Sequence, residues 1–190
     1  ESQNAAALVI LQGGKIRLER YGLHQSREKR WTSFSVAKSI TSTLVGAALK
    51  DGHIASLEDK VSDYVTGLRG SAYDDVSIRQ LLTMTSGVAW TEDYGDPNSD
   101  VALFREVEPV PGEAALVTYM KTLGRAEAPG AAFNYSTGET NLVGVLLEAA
   151  TGKPVSEYIS ETIWRPYGMA GKGSWVVSKT GAPISGCCLQ

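Results

Sequence analysis

Cysteine and histidine are scarce in this chain of 190 residues, which contains two of each. The cysteines are adjacent, Cys187 and Cys188, and adjacent cysteines rarely bond to each other because the geometry is strained. The histidines, His24 and His53, lie far from them in the sequence. This distribution argues against a metal site and says little about the redox compartment.

Long apolar runs and clusters of basic residues are also absent. No segment approaches the roughly 18 apolar residues of a membrane helix, and no signal peptide is visible, so the compartment stays open. The net charge is −3, from 18 basic and 21 acidic side chains. Nothing favours a nucleic acid or a membrane as partner. The hydrophobic fraction of 43% is ordinary for a globular protein, and the length of 190 residues suits one domain, or one and a half.

The beginning of the chain has the pattern of a β-hairpin. Residues 6–11 are apolar and rich in strand-forming types, and residues 15–20 alternate between polar and apolar side chains. Gly13-Gly14 between them is typical of a tight primed turn. Because one hairpin is not stable alone, we expect covering helices or further strands.

The rest of the chain has mainly helical patterns. From Ser35 to Ala48 apolar residues recur every fourth position, which predicts a helix that is apolar on most sides and therefore buried. Thr32 or Ser33 can cap its start, and Gly52 ends it. A short amphipathic segment at 57–65, an acidic loop at 90–100, and helices at 77–84, 112–122, 140–150 and 154–164 complete the prediction.

Ser35 and Lys38 have the spacing of a catalytic pair. Three residues apart on a helix, their side chains share one face. A serine hydroxyl needs a base, and a lysine loses its proton more readily in apolar surroundings such as Val36, Ala37 and Ile40. The alternative is that Ser35 caps the helix while the Lys38 amine extends into water.

A second Ser-x-x-Lys pattern lies upstream, at Ser26 and Lys29. It falls within the highly charged residues 24–30, between Arg27, Glu28 and Arg30. We interpret this segment as a solvated loop, because charged residues surround the pair on both sides.

Tyr135 is a candidate for proton transfer. It lies between the Pro129-Gly130 turn and a predicted helix. A tyrosine beside a lysine can act as general base and acid, an effect of about a hundred- to ten-thousand-fold. The alternative is a hydrogen-bonded core tyrosine.

Together these segments resemble the family of serine β-lactamases and penicillin-binding proteins, in its class C branch. Ser35-Val-Ala-Lys38 resembles the Ser-x-x-Lys motif, and Tyr135-Ser-Thr137 resembles the second motif, usually Tyr-x-Asn. Within the family, the likeness is closest to the 6-aminohexanoate-dimer hydrolase and esterase group. The supporting segments are residues 78–87, 84–90, 92–94, 129–136, 152–169 and 186–189.

The resemblance implies an activity and roles for particular residues. That group cleaves small carboxylic esters and amides through an acyl-serine, without a cofactor. Ser35 would be the nucleophile and Lys38 its activating base, with Tyr135 as proton relay. The Ser35 backbone N–H would supply half of an oxyanion hole.

The resemblance also implies substrate-side positions for Tyr94, Trp90 and Thr137. Thr137 stands where the family usually has asparagine, which puts a β-lactam-style amide contact in doubt. The third motif, Lys/His-x-Gly, is spelled by residues 179–181. We reject this match because it follows Tyr135 too closely in sequence and because Pro183 makes a poor central strand.

The expected fold class is α+β, of the β-lactamase/transpeptidase type. Residues 1–23 would be the first strands of the α/β domain, and residues 24–190 a mostly helical domain that carries the catalytic serine. The remaining strands, the third motif and the closing helix are expected on a companion C-terminal segment or chain.

Three functions remain open at this level. The first is a serine hydrolase acting on a small-molecule ester or amide. The second is a β-lactamase or D-alanyl-D-alanine carboxypeptidase, which the threonine at position 137 disfavours. The third is a catalytically silent binding member of the same fold, which an intact set of Ser35, Lys38 and Tyr135 disfavours.

Overall fold

The structure is a computed structural model that describes residues 4–179 and 181–190. Its chain divides into two units, residues 1–32 and residues 33–190. The first unit contains the strands, and the second contains the helices together with every residue proposed for the site.

The first unit contains the predicted hairpin. Strands β1 (Ala7–Gln12) and β2 (Lys15–Tyr21) pair antiparallel, with one irregularity after Ile10. Gly13 and Gly14 have φ angles of 58° and 70°, the left-handed conformation that both central residues of a type I′ turn require. Leu8 and Val9 are 50% and 48% exposed. Because successive strand residues point to opposite faces, both faces of the hairpin carry exposed apolar side chains.

The upstream Ser-x-x-Lys pattern lies in a loop, as predicted. Residues 24–30 adopt turns and irregular structure. The Lys29 amine donates a hydrogen bond to the carbonyl oxygen of His24, and Lys29 is exposed.

Helix α1 (Ala37–Lys50) follows a 3-10 turn at Phe34–Val36. Its predicted burial on most sides is wrong, because Ser39, Ser42, Thr43 and Gly46 form an exposed stripe opposite a buried face. The predicted cap by Thr32 or Ser33 is also wrong, since Val36 stands at the N-cap position and makes no side-chain cap. Gly52, with φ of 79°, follows the end of the helix as predicted. The buried face consists of Ala37, Thr41, Leu44, Val45 and Ala48.

Helix α6 (Thr137–Thr151) packs against α1 and forms the centre of the second unit. It begins three residues before the predicted start, because the Ser136 hydroxyl accepts a 3.0 Å hydrogen bond from the backbone N–H of Glu139. It ends at Gly152, whose φ of 69° is left-handed. Leu142, Val143, Leu146 and Leu147 of α6 are buried in the core.

Shorter helices surround this pair. Ser77 and Gln80 form a capping box at the start of α3 (Ile78–Leu82), whose residues Ile78 and Leu81 are buried. The predicted segment at 57–65 shortens to a single turn, the one at 112–122 shortens to six residues, and the one at 154–164 breaks into two pieces. The sequence pattern does not predict the helical turn at Asp100–Leu103. These elements are α2 (Val61–Tyr64), a 3-10 turn (Thr66–Leu68), α3 (Ile78–Leu82), α4 (Asp100–Leu103), α5 (Ala115–Met120), α7 (Val155–Ile159) and a π-helical turn (Ser160–Trp164).

The last residues are irregular, as predicted, and fold back on themselves. Isolated β-bridges join Trp175 to Leu189 and Val177 to Pro183. The Sγ atoms of the adjacent Cys187 and Cys188 lie in contact with each other. Across the described part of the chain, no helix has the length and apolar character needed to cross a bilayer.

Candidate active site

Ser35 lies in the 3-10 turn that leads into α1, and its side chain is exposed. The preceding residue, Phe34, has a φ of 45°, a left-handed conformation that is uncommon for a residue with a side chain. The tight turn therefore presents the Ser35 hydroxyl at the surface, one helical turn before Lys38.

Lys38 brings its amine to Ser35. Lys38 Nζ lies 3.1 Å from Ser35 Oγ, 3.1 Å from Thr137 Oγ1 and 2.7 Å from the carbonyl oxygen of Gly186. The prediction of an apolar environment for this amine is wrong, because all three contacts are oxygen acceptors and Val36 is 66% exposed. An ammonium group has three N–H donors, and here each has an acceptor.

Tyr135 completes the group from the loop before α6. Its hydroxyl donates a 2.9 Å hydrogen bond to Ser35 Oγ, and Lys38 Nζ lies 5.0 Å from the centre of its ring. Burial raises the pKa of Tyr135. Hydrogen bonds with Ser35 and Lys38 and the positive charge of Lys38 outweigh this effect, so its pKa lies below the ordinary value.

A short segment after α3 positions the loop that carries Tyr135. The carbonyl oxygen of Met84 accepts a 2.9 Å bond from the Asn134 N–H, and that of Thr85 accepts a 2.7 Å bond from the Gly130 N–H. Gly87 has a φ of 73°, and a Cβ atom there would overlap the carbonyl oxygen of Glu127. This close approach is the structural reason for a glycine at that position.

The residues implied on the substrate side lie together but differ in exposure. Tyr94 is 67% exposed, and its hydroxyl lies 3.4 Å from Thr137 Oγ1. Thr137 is only 2% exposed. Trp90 is 6% exposed, and its ring packs against Gly138 at the start of α6. Direct substrate contact by these three residues stays a prediction, and the structure places the Trp90 ring in the core.

Glu92 was not predicted as a site residue, yet it contacts all three. Its carboxylate accepts hydrogen bonds from the Trp90 indole, the Tyr94 hydroxyl and both the backbone N–H and the hydroxyl of Thr137. Burial raises its pKa, but these hydrogen bonds outweigh burial and hold the pKa below the ordinary value. No local pattern singles out Glu92 within its loop, because its contact with Thr137 joins residues 45 positions apart in the sequence.

The segment that spells a third motif lies at the surface. Lys179 pairs with Glu106 at 2.7 Å, and the two side chains are 77% and 70% exposed. Thr180 lies outside the described residues. Within the described ranges, no group of three or more His, Cys, Asp or Glu side chains is arranged to hold a metal ion.

The Ser35 hydroxyl, the Lys38 amine and the Tyr135 phenol thus form one connected hydrogen-bonded group, which is an arrangement suited to acyl transfer. The sequence matches the Beta-lactamase family over residues 2–178. The chain therefore belongs to the β-lactamase family, whose members are serine hydrolases.

Curated relatives agree with this assignment. The chain is 29% identical over 184 residues to the 6-aminohexanoate-dimer hydrolase of Paenarthrobacter ureafaciens, which covers 92% of this chain and 45% of that protein. It is 29% identical over 178 residues to a β-lactamase of Pseudomonas fluorescens, covering 89% and 46%. The chain spans about half the length of these relatives.

Solved structures show the same fold. A Bacillus anthracis protein, described provisionally as a 6-aminohexanoate-dimer hydrolase, superposes with a TM-score of 0.80 at 23% identity, covering 96% of this chain and 50% of that one. A class C β-lactamase superposes with a TM-score of 0.68 at 24% identity, covering 93% and 51%. The expected β-lactamase/transpeptidase-like fold is thereby confirmed.

Proposed function

We propose that the protein containing this chain hydrolyses small carboxylic esters or amides through an acyl-Ser35 intermediate. The observation that carries the proposal is the contact of one oxygen, Ser35 Oγ, with both Lys38 Nζ at 3.1 Å and the Tyr135 hydroxyl at 2.9 Å. The similarity to a 6-aminohexanoate-dimer hydrolase supports an amide or ester as the substrate class.

The first half of the reaction forms the acyl-enzyme. Tyr135, as phenolate, takes the proton of Ser35 as the serine oxygen attacks the carbonyl carbon of the substrate. Tyr135 then gives that proton to the leaving alcohol or amine as the C–O or C–N bond breaks. The lowered pKa of Tyr135 favours the phenolate that this step needs.

The second half releases the product. A water molecule attacks the acyl carbon while Tyr135 takes one of its protons, and Tyr135 returns the proton to Ser35 Oγ as the ester bond breaks. Lys38 orients both oxygens and stabilises the phenolate by its charge. Three acceptors around Nζ support this orienting role for Lys38, which differs from the role of base that the resemblance implied.

Hydrolysis of a chromogenic short-chain ester by the full-length protein tests this function. Ser35→Ala should abolish turnover, whereas Ser26→Ala, the matched change in the other Ser-x-x-Lys pattern, should leave it intact. Equal ligand binding by the unmodified protein and Ser35→Ala, with turnover by neither, would instead support a catalytically silent binding protein.

A β-lactamase or D-alanyl-D-alanine carboxypeptidase is the second candidate. The 29% identity to the Pseudomonas fluorescens β-lactamase favours it. Thr137 speaks against it, because a hydroxyl already bonded to Lys38 and Glu92 replaces the side-chain amide. Hydrolysis of nitrocefin at a rate comparable to that of the ester would reverse the order of the two candidates.

We also propose that a companion C-terminal segment or chain supplies further strands beside the hairpin. Apolar residues exposed on both faces of β1 and β2 support this, since a two-stranded sheet needs a further layer or further strands to be stable. The intact mass of the native material, with an inventory of copurifying chains, tests the proposal. A monomer of this chain alone with full activity would contradict it.

A further inference from the structure

Glu92 is half-buried in the loop between α3 and α4, beside the proposed site. Its carboxylate accepts bonds from Trp90 Nε1 at 2.5 Å, from the Tyr94 hydroxyl at 2.6 Å and from the backbone N–H of Thr137 at 2.9 Å. The hydroxyl of Thr137 donates a fourth. These four bonds join two side chains of its own loop to the start of α6.

Four donors saturate this carboxylate. An ionised carboxylate is an acceptor with about four lone-pair sites and no donor. Two donors lie on Oε2 and two on Oε1 of Glu92. The group is therefore fully engaged by the protein, and it acts on its neighbours rather than on a substrate.

The saturated carboxylate fixes the direction of the hydrogen bonds towards Lys38. The Thr137 hydroxyl has one proton, and an ionised Glu92 can only accept it. The remaining lone pairs of Thr137 Oγ1 must then accept from Lys38 Nζ, 3.1 Å away. The carbonyl oxygen of Gly186 takes a second Lys38 proton at 2.7 Å. One Lys38 proton is left, and Ser35 Oγ lies 3.1 Å away to accept it.

We propose that Glu92 is a positioning residue that acts through the Thr137 hydroxyl to direct the Lys38 amine at Ser35, while it holds Tyr94 at the substrate side. This inference rests on the proposed function. The inference adds a second group of hydrogen bonds, centred on Glu92. This second group supports the hydrogen-bonded group of Ser35, Lys38 and Tyr135.

Replacing Glu92 by glutamine changes the size of the side chain little, but it disrupts the directed hydrogen bonds around this position. Its NH₂ group is a donor, so two of the four donors around residue 92 would face another donor. We expect Glu92→Gln in the full-length protein to lower kcat/KM by about ten- to a hundredfold. Glu113→Gln is the matched control, because Glu113 also accepts side-chain hydrogen bonds, from Thr118 and Lys121, outside the proposed site.

The pH profile separates this role from a merely structural one. Among the described residues, Lys38 from α1 and Glu92 from its loop act on the Tyr135 hydroxyl, and Tyr94, which contacts Glu92, also interacts electrostatically with Tyr135. The negative charge of Glu92 raises the pKa of Tyr135. Removing the charge should therefore shift the acid limb of kcat/KM to lower pH, whereas Glu92→Asp, which keeps the charge, should leave the limb in place.

A double-variant cycle tests the route through Thr137. If Glu92 directs Lys38 by way of that hydroxyl, Glu92→Gln should add little to the loss of kcat in Thr137→Val. Fully additive losses of kcat, or an unshifted acid limb and an unchanged kcat/KM in Glu92→Gln, would overturn the proposal. If Glu92→Gln unfolds, the same cycle with Glu92→Asp decides. Failure of the unmodified protein to turn over any ester or amide would count against the proposed function instead.

Discussion

Replacing Glu139 by glutamine should remove a large part of the pH dependence of the protein's stability. Glu139 lies in the first turn of α6, is 3% exposed and accepts a hydrogen bond from the Ser86 hydroxyl. Its Oε2 atom and the Tyr73 hydroxyl, also buried, have no partner of ordinary hydrogen-bond geometry in the described part of the chain. Burial raises the pKa of Glu139 to about 7, although the bond with Ser86 and the nearby Tyr73 hydroxyl lower it.

The sign of the effect follows from proton linkage. Between the unfolded value of 4.5 and the folded value of about 7, the folded protein binds the Glu139 proton and the unfolded chain does not. This contribution is complete below pH 4.5 and is lost as pH rises to about 7. This difference between the folded and unfolded pKa values of Glu139 corresponds to on the order of 3 kcal/mol in the free energy of unfolding.

Urea denaturation at pH 5 and pH 8 measures the effect. In Glu139→Gln the amide oxygen can still accept from Ser86, and the amide NH₂ can donate to Tyr73, at both pH values. Between pH 5 and pH 8, the unmodified protein should therefore lose on the order of 3 kcal/mol more stability than this variant. Glu113→Gln is the control, because the pKa of the Glu113 carboxyl group is lowered. The pH dependence of its free energy of unfolding between pH 5 and pH 8 should match that of the unmodified protein. Equal pH dependence in all three proteins would refute the reasoning.

Three further predictions concern the site and its support. Tyr135→Phe should lower kcat by about a hundred- to ten-thousand-fold while folding is retained, as enzyme assay and circular dichroism would show; a fall of less than tenfold would contradict its role. Gly87→Ala should lower the free energy of unfolding by about 2–4 kcal/mol, because it adds left-handed strain and overlap with the Glu127 carbonyl oxygen; an unchanged denaturation midpoint would contradict this. Lys179→Met should leave ester hydrolysis unchanged, since this exposed side chain contacts Glu106; a large loss of activity would restore the rejected third motif.

Local chemistry made much of the fold predictable. Gly13-Gly14 identified the hairpin because both φ angles must be positive there, and apolar periodicity identified α1 and α6. Helix α4 was not predictable from the sequence pattern, because it is a single turn that is stabilised by hydrogen bonds from residues outside the helix. The Asp100 carboxylate in its first turn accepts bonds from the N–H and hydroxyl of Thr91, nine positions earlier.

The site was predictable where its geometry is local or repeats a known motif. Spacing alone placed Ser35 and Lys38 on one face. The position of Tyr135 before a predicted helix made it a candidate for proton transfer, and the family resemblance implied its role as proton relay. The polar surroundings of Lys38 were not predictable, because Thr137 and Gly186 lie 99 and 148 positions away in the sequence. The burial of the Trp90 indole escaped prediction for the same reason, since it depends on contact with Gly138 of α6.

The most direct test of the account is the mass of the covalent adduct formed with a fluorophosphonate, located by peptide mapping. The account predicts one adduct per protein, on Ser35. Its formation should be abolished in Ser35→Ala and strongly slowed in Tyr135→Phe. An adduct on Ser26, or none on the active full-length protein, would contradict the assignment of Ser35 as the nucleophile.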